Sequence, residues 1–327
     1  MRKHLWLLLV VGIFVIQGCI APKIRIFTDS TDPYEEYTLE GTKTPKVLLI
    51  QANGTIDVGP SKGMLRDRPG MVPDIVAQLK LAEKDKKIGA VVLKINSPGG
   101  TVTASDVLYH EIQSYKEKSG NKVVAVLMGV AASGGYYIAL PADRIVAHPT
   151  TITGSVGVIF LQPKVEGLME KIGVGVDVSK SGDQKDMGSP FRASTPEEAR
   201  LMQELTDRLG QRFADLVIRH RQITSEALAQ VRTARIFLAE EARQLGLVDQ
   251  IGYVEDAIQS AKTLAGLPDD AKVVTYRRAE FPDDTVYNAV GTTSTTGEPD
   301  LIHIDLMGSM GELSSGFFYI WPPAAGL

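Results

Sequence analysis

The chain has 327 residues, 44% of them hydrophobic, with 35 Lys+Arg against 39 Asp+Glu and a formal net charge of −4. A mildly acidic chain without a basic tract lacks the electrostatic footprint of a nucleic-acid binder, and its single cysteine, Cys19, excludes an intrachain disulfide and a cysteine zinc cluster. Stability must therefore come from burial, for which the length allows one large domain of about 230 residues plus ends.

At the start, Met1-Arg2-Lys3-His4 precedes twelve apolar or small residues, 5–16, and then Gln17-Gly18-Cys19. A basic start, a short apolar run and a small-residue exit describe a secretory signal, because a spanning helix needs about 20 apolar residues. Export is thus expected. Cys19 also resembles the lipobox cysteine of bacterial lipoproteins, which becomes lipid-modified and forms the new N-terminus; a plain signal with an incidental cysteine is the alternative. Losing residues 1–18 removes Arg2 and Lys3 and no acid, taking the formal charge from −4 to −6.

Residues 19–45 have little periodicity and read as a tether, followed by a folded domain over 46–267 and an extension over 268–327. Within the domain, 46–56 reads as a strand, 70–87 as a helix, 88–95 as a buried strand and 104–118 as a helix. Such alternation predicts parallel βα units with helices on the sheet faces. Asn96-Ser97-Pro98-Gly99-Gly100 is a glycine turn at a strand end, where amides point freely enough to hold an oxyanion.

The next strand, from Val123, runs through Ala131-Ala132-Ser133-Gly134-Gly135 into Tyr136-Tyr137-Ile138-Ala139-Leu140. Strand, tight turn and helix lift one hydroxyl to the C-terminal edge of a sheet, with amides at the turn facing any developing anion. Ser133 is accordingly a candidate nucleophile; the alternative is that its hydroxyl only caps the helix. In a parallel sheet both glycine turns open on one crevice.

Those two blocks, then Ala142-Asp143, Thr153-Gly154-Ser155-Val156-Gly157, Ser181-Gly182-Asp183-Gln184-Lys185-Asp186 and the run from Ala239 to Asp249, resemble the signature blocks of the bacterial signal peptide peptidase A family over residues 45–265. The resemblance implies a crotonase-like and Clp-protease-like fold: a repeated ββα superhelix, helices packed on a mostly parallel sheet, and a helical arm towards the C-terminus. It also implies a serine endopeptidase with a Ser/Lys dyad, Ser133 as nucleophile and Lys185 as general base, and the amides of Gly100 and Gly134 as oxyanion hole. A lysine serves as base only where burial depresses its pKa from about 10.4. Apolar peptides such as released signal peptides, or unfolded envelope proteins, are the expected substrates, no cofactor is implied, and a ring of about eight copies with a dyad shared between neighbours is expected.

Three other readings stand beside this one. A Ser133, His148, Asp143 triad can be written, although five residues along one extended run point Asp143 and His148 to opposite faces. The fold also hosts acyl-CoA enzymes that use glycine-turn amides without a nucleophile, which export disfavours, and an inactive binding scaffold is the third. No His/Asp spacing suggests a metal.

Further on, Thr195-Pro196-Glu197-Glu198 starts a helix running to His220, with more helices over 224–231, 239–245 and 254–264 and a strand over 272–276. Residues 290–299 read as a Thr/Gly/Ser linker. The apolar end, including Phe317-Phe318-Tyr319-Ile320-Trp321, falls outside the family blocks and is expected to dock on the core or on another subunit.

Overall fold

In the computed structural model of the protein the described residues are 32–59, 69–281, 283–288 and 316–325. The signal-like segment, Cys19 and the linker lie outside them. The centre is a parallel run of strands: β2 (Lys43–Asn53), β3 (Ile88–Ser97), β5 (Lys122–Ala132) and β6 (Arg144–Ala147). Their register is continuous, Leu48 beside Val91 and Val91 beside Val123.

Each strand alternates between two packed faces, as a sheet covered on both sides requires. From β2 and β3, Leu48, Ile50, Val91, Leu93 and Ile95 enter the larger core. It is covered by α1 (Met71–Lys84) and α2 (Val102–Ser119), with Ile75, Leu79, Leu108 and Ile112 buried. Val47, Leu49, Ala90 and Val92 face the other way, where α8 (Val254–Leu264) covers them with Val254, Ala257, Ile258 and Ala261. The expected parallel βα layering with helices on both faces is what forms.

At one margin, β11 (Ala271–Arg277) runs parallel to β2, and β1 (Glu35–Glu40) closes antiparallel on β11. The stretch read as a tether up to residue 45 is therefore sheet from Glu35 onward; its charged, sparse alternation hid an edge strand, which needs one apolar face rather than two. At the other margin β10 (Gln250–Ile251) pairs with β6. Beyond its bend, β5 also carries β7 (Ile152–Gly154), which pairs with β9 (Ile236–Leu238).

The long arm α5 (Pro196–His220) starts at a capping box between Thr195 and Glu198 with Pro196 in its first turn, as its sequence predicts. It lays Phe213, Leu216 and Val217 on the larger core, while Leu205 and Ile218 stay exposed among its polar residues. A separate three-stranded sheet has the order β4 (Gly99–Thr101), β12 (Gly316–Ile320), β8 (Ile159–Leu161). The apolar end of the chain thus docks on its own core, between β4 and β8.

Candidate active site

Both glycine turns sit at the C-terminal ends of adjacent parallel strands, β3 and β5, and the strand pairing carries them to one place. The Asn96 side chain ties them, its Oδ1 accepting from the Val130 amide at 3.1 Å. Beyond it Gly99 takes a φ of 103°, a left-handed backbone that suits only glycine, and its amide donates to Ser97 Oγ at 3.1 Å. A Cβ on Gly99 would stand 2.7 Å from the Gly134 nitrogen and would collide with the carbonyl oxygen of Tyr319. Three main chains meet here, and a side chain on the first would push them apart.

Ser133 follows the last residue of β5 with φ 52° and ψ −118°, a strained conformation for a residue with a side chain. It is retained because the backbone on both sides is bonded. The Ser133 amide donates to Gly154 O at 2.8 Å, and its carbonyl accepts from the Tyr137 amide at 2.9 Å, opening the short helix α3 (Gly134–Tyr137). The hydroxyl takes no part: Ser133 makes no side-chain cap, and its Oγ is buried with no hydrogen-bond partner among the described residues. That removes capping as the reason for a serine here. A buried hydroxyl left unpaired costs about 1–3 kcal/mol and marks a position kept for another purpose.

Gly100 lies beside it. Its neighbours fix the direction of its amide, because Ile56 N donates to Gly99 O at 2.9 Å and Thr101 N to Ile56 O at 3.1 Å, leaving the Gly100 N–H on the opposite side of the strand. On that side runs β12, antiparallel, with Trp321 N donating to Pro98 O at 2.8 Å and Tyr319 paired with Gly100. Since hydrogen-bonded pairs alternate along an antiparallel ladder, Tyr319 and Gly100 form the next bonded pair, with the Gly100 amide directed at the Tyr319 carbonyl. A Cβ on Gly134 would come within 2.9 Å of that same oxygen. Gly100 and Gly134, expected from the sequence as oxyanion donors, therefore both lie beside the Tyr319 carbonyl, and the strand ladder directs the Gly100 amide at it.

Lys185 is elsewhere. It sits on an exposed turn, its amide donating to Gly182 O at 3.1 Å, and no hydrogen bond joins its side chain to Ser133. That turn is tied to the start of α5 through Asp186, which accepts from Lys180 at 2.8 Å and from Arg192 Nε at 2.8 Å, while Arg192 also pairs with Glu198. The hydrogen bonds from Arg192 and Lys180 hold the Asp186 carboxyl far below the usual carboxylate range. Around the turn, Leu168, Ile172, Val174, Val176, Val178 and Phe191 are all exposed.

The histidine triad does not form. Asp143 accepts from the Val123 amide at 2.8 Å and pairs with Lys116 at 3.2 Å, whereas His148 binds Thr150 through Nδ1 at 2.9 Å and meets the Tyr253 ring edge-on at 5.0 Å. A cavity of about 440 Å³ opens between β8 and the first turns of α5, lined by Phe160, Gln162, Glu198 and Met202 among others, and neither Ser133 nor the two glycines border it. No group of metal-ligating side chains occurs among the described residues. What sequence reasoning missed is β12 at the serine; its only signal is a five-residue run of large apolar residues after a polar linker.

The sequence model of peptidase family S49 matches residues 115–268, and that of the Clp protease matches residues 68–152, the segment that carries both glycine turns. The mixed α/β fold with its mostly parallel sheet is accordingly Clp-protease-like. A protein of Enterococcus faecium, provisionally named signal peptide peptidase SppA, is 37% identical over 254 residues, covering 77% of this chain and 73% of that one. Protease 4 of Salmonella typhi is 36% identical over 241 residues, 72% of this chain and 37% of its own length. The chloroplastic serine protease SPPA of Arabidopsis thaliana is 33% identical over 232 residues, 70% of this chain and 34% of its own. On the Enterococcus match, with the serine turn inside the matched S49 segment, this chain belongs to peptidase family S49.

Proposed function

We propose that the protein is an exported, lipid-anchored serine endopeptidase in which Ser133 attacks the substrate carbonyl and the amides of Gly100 and Gly134 hold the resulting oxyanion. The observation that carries this reading is the buried Ser133 hydroxyl, without a partner among the described residues, on a strained turn beside two glycines packed against one carbonyl oxygen. Attack forms an acyl-enzyme, the peptide amine leaves with the proton taken from Oγ, and water then hydrolyses the ester. The acyl-CoA alternative needs no hydroxyl at position 133, so a strained, unpaired serine favours the peptidase.

The base is Lys185, supplied by the neighbouring protomer of a ring, for which eight members is our reading. Two observations support a shared dyad: Lys185 makes no bond to Ser133 within its own chain, and the exposed apolar side chains around its turn need a partner surface. Apolar peptides and unfolded envelope segments fit as substrates, since a groove that binds extended chain excludes folded protein. The anchor would be Cys19, placing the domain on the outer face of a bacterial cytoplasmic membrane or in the periplasm. No helix among the described residues is long and apolar enough to cross a membrane.

The test is labelling with a fluorophosphonate followed by mapping of the modified residue. Ser133 is the expected site, and labelling of another serine overturns the reading. Mixing Ser133→Ala with Lys185→Ala subunits, each inactive alone, should restore roughly a quarter of the sites in a randomly mixed ring. A mixed ring proven by co-purification on two tags, yet inactive, would overturn the shared dyad.

A further inference from the structure

Strands β3 and β5 keep a parallel register up to Ile95 beside Leu127, and where pairing resumes Ser97 stands beside Ala131. One residue of β3, Asn96, thus faces three of β5, Met128, Gly129 and Val130. Bulges are rare in parallel pairs, and beside a site they serve to re-aim a side chain. Because the surplus is two residues, every later β5 side chain keeps its face, while Ser133 comes level with Gly99 instead of overshooting it by about 6–7 Å. On its other edge β5 changes partner at the same point: Val124 to Leu127 pair with β6, and Val130 to Ala132 with β7.

A bulge orphans main-chain groups, and side chains take them here. Asn96 is pinned from β2, its carbonyl accepting from the Gly54 amide at 3.0 Å. Across the bulge its Oδ1 accepts from the Val130 amide at 3.1 Å, standing in for the rung that the ladder lacks. From the β7 side the wholly buried Thr151 hydroxyl lies 2.8 Å from the Leu127 carbonyl and 2.6 Å from that of Met128, and its one proton is shared between them. Two residues on, Thr153 Oγ1 donates to Ala131 O at 2.6 Å.

We propose that Asn96 and Thr151 are positioning residues for the serine: they clamp the bulge from opposite edges of β5 and thereby set the Ser133 hydroxyl against the Gly100 amide. The inference rests on Ser133 being the nucleophile and goes beyond it, because it names what fixes the nucleophile relative to the oxyanion donor. A misplacement of about 1 Å can cost on the order of 10²-fold in rate, so loosening the clamp should appear in kcat.

The Asn96 side chain is exposed, so in Asn96→Ala water reaches the freed Val130 amide and the fold is kept. That variant should lower kcat for an apolar fluorogenic peptide by roughly 10- to 100-fold, with KM within about twofold of wild type. Fluorophosphonate labelling of Ser133 should slow in step, and the pH profile should keep its shape, because the base is untouched. Asn96→Asp, which retains an acceptor, should recover part of the loss. Thr151→Val should act like Asn96→Ala, and Thr151→Ser should stay near wild type. Combining Asn96→Ala with Thr151→Val should cost less than the product of the two, as for groups that hold one element. Amide hydrogen exchange over residues 128–134 should quicken in Asn96→Ala and in Thr151→Val. Wild-type kcat and labelling in a folded Asn96→Ala protein, equal damage by Thr151→Ser and Thr151→Val, or unchanged exchange in both deletions each overturns the inference while labelling of Ser133 upholds the peptidase. Labelling of another serine in the wild type overturns the nucleophile itself, and the positioning role with it.

Discussion

The amide of Ser133 donates to the carbonyl oxygen of Gly154 at 2.8 Å, so the serine is fixed by its main chain from the β7 side while its hydroxyl is bonded to nothing described. Position and chemistry are thereby separated. Ser133→Ala should abolish labelling and cleavage yet change stability by no more than about 1 kcal/mol, since a buried hydroxyl without a partner is costly rather than stabilising. Ser133→Gly should be the more stable of the two by roughly 1 kcal/mol, because φ 52° with ψ −118° suits a residue without Cβ. Denaturant unfolding of both variants checks this, and a large loss on Ser133→Ala would mean that the hydroxyl has a structural partner.

Glycine at 100 and 135 is required by close approach. A Cβ on Gly100 would collide with the Ile56 carbonyl, and one on Gly135 would stand 2.5 Å from the Ser97 carbonyl oxygen, both being main-chain atoms that cannot swing away. Gly100→Ala should therefore displace an oxyanion donor and lower kcat by on the order of 10²–10³. Its kcat/KM should fall with kcat, since the donor acts on the transition state. An unchanged kcat in a folded Gly100→Ala protein would remove that amide from the oxyanion hole.

The sequence displays the central strands and both glycine turns because each buried strand is a continuous β-branched run ending in a residue only a turn accepts. Helix α5 is equally legible, as Thr195-Pro196-Glu197-Glu198 carries its own start signal. Edge and very short strands are not: β1 has one covered face and a charged sequence, and β7 and β9 are three residues each, too short for a period to register. The pairing of β12 with β4 depends on main-chain edges nearly 220 residues apart in sequence, a relation that no local pattern encodes. In the candidate site, the turns that carry Gly100 and Ser133-Gly134 meet because adjacent parallel strands end there, whereas Lys185 lies on an exposed turn that makes no bond to Ser133 within the chain, and no local pattern says what such a turn faces.

That turn is held by a small ionic cluster with testable consequences. Arg192 bonds both Asp186, next to Lys185, and Glu198 in the first turn of α5, and its hydrogen bonds lower the Glu198 carboxyl to about 2. Arg192→Ala should free the Lys185 turn without touching the Ser133 turn. Turnover should fall by roughly tenfold through lost positioning, with limited proteolysis now cutting within residues 180–192. Arg192→Lys, which cannot form the same fork, should recover only part of the loss. Protection of the turn from protease in Arg192→Ala would show that the cluster does not order it.

Lys94 makes the last prediction, on stability. It projects from β3 towards the smaller core, its Nζ donates to Val286 O at 2.7 Å, and burial lowers its pKa to about 8. An unfolded lysine keeps its proton to about 10.4. Between pH 8 and 10 the unfolded chain therefore binds more protons than the folded one, and stability must rise with pH through this window and be flat with respect to Lys94 below it. Above pH 10 the buried tyrosines work in the opposite sense: burial raises Tyr136 and Tyr276, the folded state keeps their protons longer, and stability falls. Comparing the wild type with Lys94→Met isolates the lysine from these. The variant should be the more stable at pH 7, by roughly 1–3 kcal/mol less whatever the Val286 bond contributes, and the difference should shrink as pH rises to 10. Urea unfolding at pH 7, 8, 9 and 10 measures it; two parallel curves would mean that Lys94 keeps its charge throughout and has a counter-ion in solution.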